Sequence, residues 1–101
     1  MGTLQTYYKN MPYKEYKPAY ISSATTTQVA TGKGVLQAIT VNTTAAGAIA
    51  IIDGTSGSTA NIGSLKASIA EGTYWFNCTF ATGLRIVTAG ASDITVTYQQ
   101  G

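Results

Sequence analysis

Hydrophobic and polar positions alternate with a period of two over most of the chain after Tyr20, the pattern of half-buried β-strands. It is clearest in "GTYWFNCTF". There Tyr74, Phe76, Cys78 and Phe80 form one series, and Thr73, Trp75, Asn77 and Thr79 form the other. The first series reads as core, which leaves Trp75 as a lone large aromatic on the opposite side. "LRIVTAG" sets Leu84 and Ile86 against Arg85 and Val87, and "ITVTYQQ" turns Ile94, Val96 and Tyr98 inward. In "GVLQAITVN", strict alternation puts Val35, Gln37, Ile39 and Val41 on one face and Leu36, Ala38 and Thr40 on the other. "AIAIID" brings Ile49 and Ile51 to a common face. The intervening "NTTAAG" reads as a turn, which predicts a hairpin between these two runs. "DGTSGS" marks a further loop, and "ANIGSLKASIA" reads as a strand with a bend.

Seven or eight short strands at regular spacing, with turn residues between them, predict an all-β antiparallel sandwich or jelly roll over residues 20–101. No repeat period points to a solenoid or propeller.

The leading segment, residues 1–19, has a different pattern. With Tyr20 it holds five of the seven tyrosines, both prolines and half of the six Lys and Arg residues. Tyr13, Tyr16 and Tyr20 are spaced as on a helix, but Pro18 interrupts that span. Met11 and Lys17, each preceding a proline, favour extended backbone. The segment therefore reads as an extended arm. Disordered tails are poor in aromatics, whereas tyrosine buries a large ring at low rotamer cost and is enriched at interfaces. Tyr7, Tyr8, Tyr13, Tyr16 and Tyr20, with Trp75, are the candidate protein-interface residues. The alternating Lys and Tyr could also grip single-stranded nucleic acid by charge and stacking. A net charge of +2 gives that reading little support, so no nucleic-acid partner is expected.

Only 10% of the residues are charged, against about a quarter in typical soluble proteins. Thr, Ala, Gly and Ser take their place, which suggests that part of the surface is covered by other subunits. Without histidine, the commonest acid–base catalyst and metal ligand is missing. Asp53, Glu71 and Asp93 sit at strand ends beside Gly or Ser and read as turn residues. The single cysteine, Cys78, reads as a small buried hydrophobe with no base to activate it. "GKG" at residues 32–34 lacks the rest of a phosphate-loop motif and reads as a hairpin turn. No enzyme activity, cofactor or metal is expected. The absence of a leader-like segment or a long apolar run argues against secretion and membrane insertion.

"ISSATTTQVATGKGVLQAITVNT", "AIAIIDGTSG" and "ATGLRIVTAGASDITVTYQ" behind a leading arm resemble the small virion proteins of tailed bacteriophages, the capsid decoration (cement) and head-fibre base types. The resemblance implies a β-sandwich seated on a capsid shell, commonly as a trimer. Its partner would be the major capsid protein or another virion protein. The place of action would be the virion, after synthesis in a host cytoplasm. It offers no catalytic residues. A tail or fibre position is the first alternative. A non-catalytic carbohydrate-binding module, with Trp75 as its platform, is the second.

Overall fold

The computed structural model describes residues 15–101. Its eight strands, in chain order, are β1 (Lys17–Ile21), β2 (Thr26–Thr31), β3 (Gly34–Thr43), β4 (Ile49–Asp53), β5 (Asn61–Leu65), β6 (Gly72–Phe80), β7 (Gly83–Thr88) and β8 (Asp93–Gln100). They form two four-stranded sheets, one in the order β1-β8-β3-β6 and the other β2-β7-β4-β5, and every pairing is antiparallel. The expected all-β sandwich is what the chain forms.

The pairing obeys one rule. β4 pairs β5, β3 pairs β6, β2 pairs β7 and β1 pairs β8, so the chain is a long double ribbon folded back at the β4–β5 loop. Successive rungs of this ribbon alternate between the sheets. The ribbon also coils, which brings β8 beside β3 and β7 beside β4. Among the described strands, only β4 and β5 are neighbours both in sequence and in a sheet. The hairpins expected at residues 42–47 and at "GKG" are therefore connections that cross between sheets. Turn residues mark where a strand ends, and the choice of partner is made by distant strands.

The core lies between the sheets. Leu36, Ile39, Val41, Ile94 and Val96 meet Ile49, Ile51, Leu84 and Ile86, all at most 2% exposed. Strict alternation misplaces the β3 residues. Leu36, Ile39 and Val41 face inward together, because the register slips between Leu36 and Ala38 against both neighbours. A β-bulge at Gln37 is the cause: one extra residue reverses the facing of Ala38 to Val41, until a second slip between Val41 and Thr43 against β8. On β6 the same irregularity spans Phe76 and Asn77, and Asn77 takes a positive φ of 48°.

β1 starts before the expected boundary at Tyr20. Lys17, Pro18 and Ala19 pair with Tyr98, Thr97 and Val96, so the last residues assigned to the arm belong to the sandwich. Pro18 fits because β1 is an edge strand, which tolerates a missing backbone donor. At the opposite side of the fold, two connections cross closely. An ideal Cβ on Gly47 would lie 2.2 Å from the Gly90 nitrogen. Ala89 N–H donates to the Ala48 carbonyl at 3.0 Å, and Ser68 N–H to that of Ala45 at 2.9 Å.

Candidate interaction surface

Register and burial define the outer face of the β1-β8-β3-β6 sheet as rows of side chains. One row runs Tyr20, Thr95, Thr40, Thr73; the next runs Pro18, Thr97, Ala38, Trp75. The Thr40 and Thr73 hydroxyls hydrogen-bond at 3.0 Å, and Asn42 Nδ2 donates to Asp93 Oδ1 at 3.1 Å and Thr95 Oγ1 at 3.3 Å. Among the described residues, Asp93 carries the face's sole charge at an outward strand position, and its other carboxylate oxygen accepts from the Tyr20 hydroxyl at 2.5 Å. That hydrogen bond comes first among the causes that raise the Tyr20 phenol above its ordinary pKa; desolvation and the Asp93 charge add to it.

The outer face of the second sheet is as poor in charge. Its rows run Thr26, Val87, Ala50, Ser64 and Gln28, Arg85, Ile52, Asn61. Arg85 is the one ionic side chain among the described residues of these rows, and its Nη1 donates to the Thr55 carbonyl at 3.3 Å. Both broad faces thus carry little charge and are pleated and rich in threonine and small apolar residues.

The candidate interface residues divide. Tyr20 and Trp75, each 65% exposed, share the first sheet's outer face but stand on its opposite edge strands, β1 and β6. Tyr16 is 42% exposed and precedes β1. Tyr7, Tyr8 and Tyr13 lie outside the described residues. The β6 edge is interrupted by the bulge at Asn77, a feature that discourages strand addition and leaves the face as the broader contact.

The carboxylates read as turn residues do more than shape turns. Asp53, at the end of β4, accepts from the backbone N–H groups of Ala81 (2.8 Å), Thr82 (2.9 Å) and Gly83 (3.3 Å), tying one sheet's strand to the β6–β7 turn. The Ala81 and Thr82 bonds lead in holding this carboxyl below its ordinary pKa. Glu71 accepts from Thr44 N–H at 3.2 Å. Sequence marked these acids as loop residues, but the donors they engage belong to remote parts of the chain. Cys78 is half-buried on the inward face, and burial, with a smaller contribution from the Asp53 charge, pushes its thiol up.

A shallow apolar pocket of about 430 Å³ opens where β3 starts and β6 ends, lined by Lys33, Gly34, Val35, Thr79, Phe80, Ala81 and Gly101. Phe80 is 1% exposed. A Cβ on Gly34 would lie 2.5 Å from its Cζ and 2.4 Å from the Gln99 carbonyl oxygen, so glycine is what lets the ring close against the strand. The pattern of apolar residues gave no sign of this pocket, which depends on strand ends meeting.

No family model matches the chain, and no curated protein matches it. Among solved structures it is similar to the Drosophila NLP core, at 14% identity and a TM-score of 0.52, over 83% of this chain and 95% of that one. The crystal structure of that protein was described for its insight into pentamer formation and histone binding. At this identity the likeness establishes a shared fold. It corrects the expectation drawn from the phage resemblance: the matching architecture belongs to a pentamer-forming fly protein, so the capsid-decorating trimer, its capsid partner and the alternative roles attached to it are set aside.

Proposed function

We propose that the chain is the subunit of a homo-oligomeric ring, most simply a pentamer, and that it works as a non-enzymatic assembly protein. The observation that carries this is the surface. Among the described residues, each broad face of the sandwich presents a single charged side chain at its outward strand positions, Asp93 on one and Arg85 on the other, and both are engaged in hydrogen bonds. Well-solvated surfaces carry roughly 25–35% charged residues. Faces this poor in charge, with Trp75 and Tyr20 exposed, suit burial against further copies. Closed symmetry is the usual way such contacts are satisfied. The coiled ribbon, which we read as a jelly roll, and the likeness to a pentamer-forming protein support a ring of five.

Histone binding does not transfer with the fold. A basic partner needs negative surface, and this chain has four acids against six cations. Three of the acids, Asp53, Glu71 and Asp93, accept internal hydrogen bonds. Sedimentation velocity at high micromolar concentration should show a particle near five times the 10.5 kDa chain mass. Trp75→Glu should dissociate it while the β-sheet circular dichroism is kept. A monomer throughout the concentration range would refute the assembly role.

A further inference from the structure

We propose that residues 1–14 of one subunit dock into the apolar pocket at the β3–β6 end of the neighbouring subunit, with Tyr7 and Tyr8 as the inserted residues; this rests on the ring reading above. Three observations converge. First, the pocket's wall is apolar, formed by Val35, Phe80, Ala81 and the bare backbone of Gly34, with Thr79 and Lys33 at its margin. An aromatic ring with one polar end matches that lining. Second, the preceding chain starts at the right end of the fold. β1 begins with Lys17 opposite Tyr98, two residues short of Gln100, and Gln100 stands in register with Gly34 and Phe80. Glu15 and Tyr16 therefore leave the sheet at the end where the pocket opens. Third, the root and the pocket lie toward opposite edges of the same sheet, β1 and β6. A head-to-tail ring joins two different patches of successive subunits, an arrangement that lets the root of one arm reach its neighbour's pocket.

The lengths agree. Root and pocket within one subunit are separated by about three strand spacings, roughly 14 Å. Nine residue steps from Lys17 back to Tyr8 span up to about 30 Å, enough to cross to an adjoining subunit. Lys33, exposed at the margin, carries the same charge sign as Lys9. Apolar contact therefore supplies the attraction, and salt should weaken docking little.

The test uses the full chain with p-benzoylphenylalanine incorporated in place of Tyr8, assembled from mixed unlabelled and isotope-labelled subunits. Illumination should join the arm to peptides containing Val35 or Phe80–Ala81, in mixed-label pairs. Crosslinks confined to single chains, or to other surfaces, would overturn the assignment. Sedimentation of the same sample separates the two ideas: a monomer removes the ring, whereas an intact oligomer without pocket crosslinks removes only the docking. Independently, Tyr7→Ala combined with Tyr8→Ala should weaken subunit association tenfold or more, with the sandwich's melt unchanged in dilute solution. Unchanged association would also overturn it.

Discussion

Gly47→Ala tests how the two crossing connections close one end of the sandwich. The new Cβ would sit 2.2 Å from the Gly90 nitrogen and 2.7 Å from both the Ala89 carbonyl carbon and Gly90 Cα. Carbon packs comfortably at about 3.5–4.0 Å, so one connection must retreat by more than an ångström. The obstructing atoms are backbone, and no rotamer change relieves them. Retreat pulls on the Ala89–Ala48 hydrogen bond on one side and the Ser68–Ala45 bond on the other. Overpacking of this kind costs about 1–3 kcal/mol, and a lost hydrogen bond adds about 1 kcal/mol. Reduced freedom of the unfolded chain returns about 0.4–1 kcal/mol. The net loss is about 1–3 kcal/mol, or roughly 5–20 °C in Tm for a domain of this size. Gly90→Ala is the graded comparison. Its Cβ would meet Gly47 N at 3.1 Å and Ala45 Cβ at 3.3 Å, so the cost should stay within about 1 kcal/mol. Thermal and urea unfolding monitored by circular dichroism read both. A Gly47→Ala protein as stable as the parent, or less affected than Gly90→Ala, would mean that the connections do not cross as described.

Further outcomes are expected from the core, the ties between elements and the first strand. Leu36→Ala, at a site with no exposed surface, should cost about 2–5 kcal/mol in urea unfolding, whereas Val35→Ala on the outer face should cost far less. Because the Asp53 carboxyl is held below its ordinary pKa, its stabilisation is present above the unfolded-state value near pH 4 and fades as pH falls through the lower folded value. Asp53→Ala should therefore melt lower than the parent at pH 7, with the gap narrowing toward pH 2. Asp93→Asn should lower the Tyr20 phenol pKa, and spectrophotometric titration of Tyr20 against a Tyr20→Phe control reads the shift. A chain starting at Glu15 should keep a cooperative melt in dilute solution. One starting at Ser22 loses β1 and buried Ile21 and should be about 2 kcal/mol or more less stable.

The strands whose alternation is unbroken were readable from residue order. In β6, β7 and β8 a two-residue period is the geometry of the pleat itself, so Trp75 could be placed outward and Phe80 inward. β3 was harder. Gln37 forms a bulge, which leaves no compositional mark and reverses the facing of its neighbours. β1 was hidden because Lys17 and Pro18 have poor strand propensity, and their strand is fixed by pairing with β8 at the far end of the sequence. The same distance hid Asp53's acceptor role, since its donors lie 28 to 30 residues on. For the surface, the scarcity of charge was visible at once; that it is concentrated on two whole faces required the register.

The double ribbon also sets the order in which the protein can come into being. β4 and β5 have partners close in the chain, and each further rung must await the one inside it. Tyr20 and Asp93, joined across the outermost rung, are 73 residues apart. Closing that span directly would be entropically costly, but once the inner rungs have formed only a short length of chain remains to be fixed. Folding that zips from the β4–β5 loop toward the ends is therefore the route of least entropy loss at each step, although the remote pairings place it among the slower topologies. Among the eight described strands, β1 leaves the ribosome before its partner β8, so the first of the eight to be made is the last to be secured.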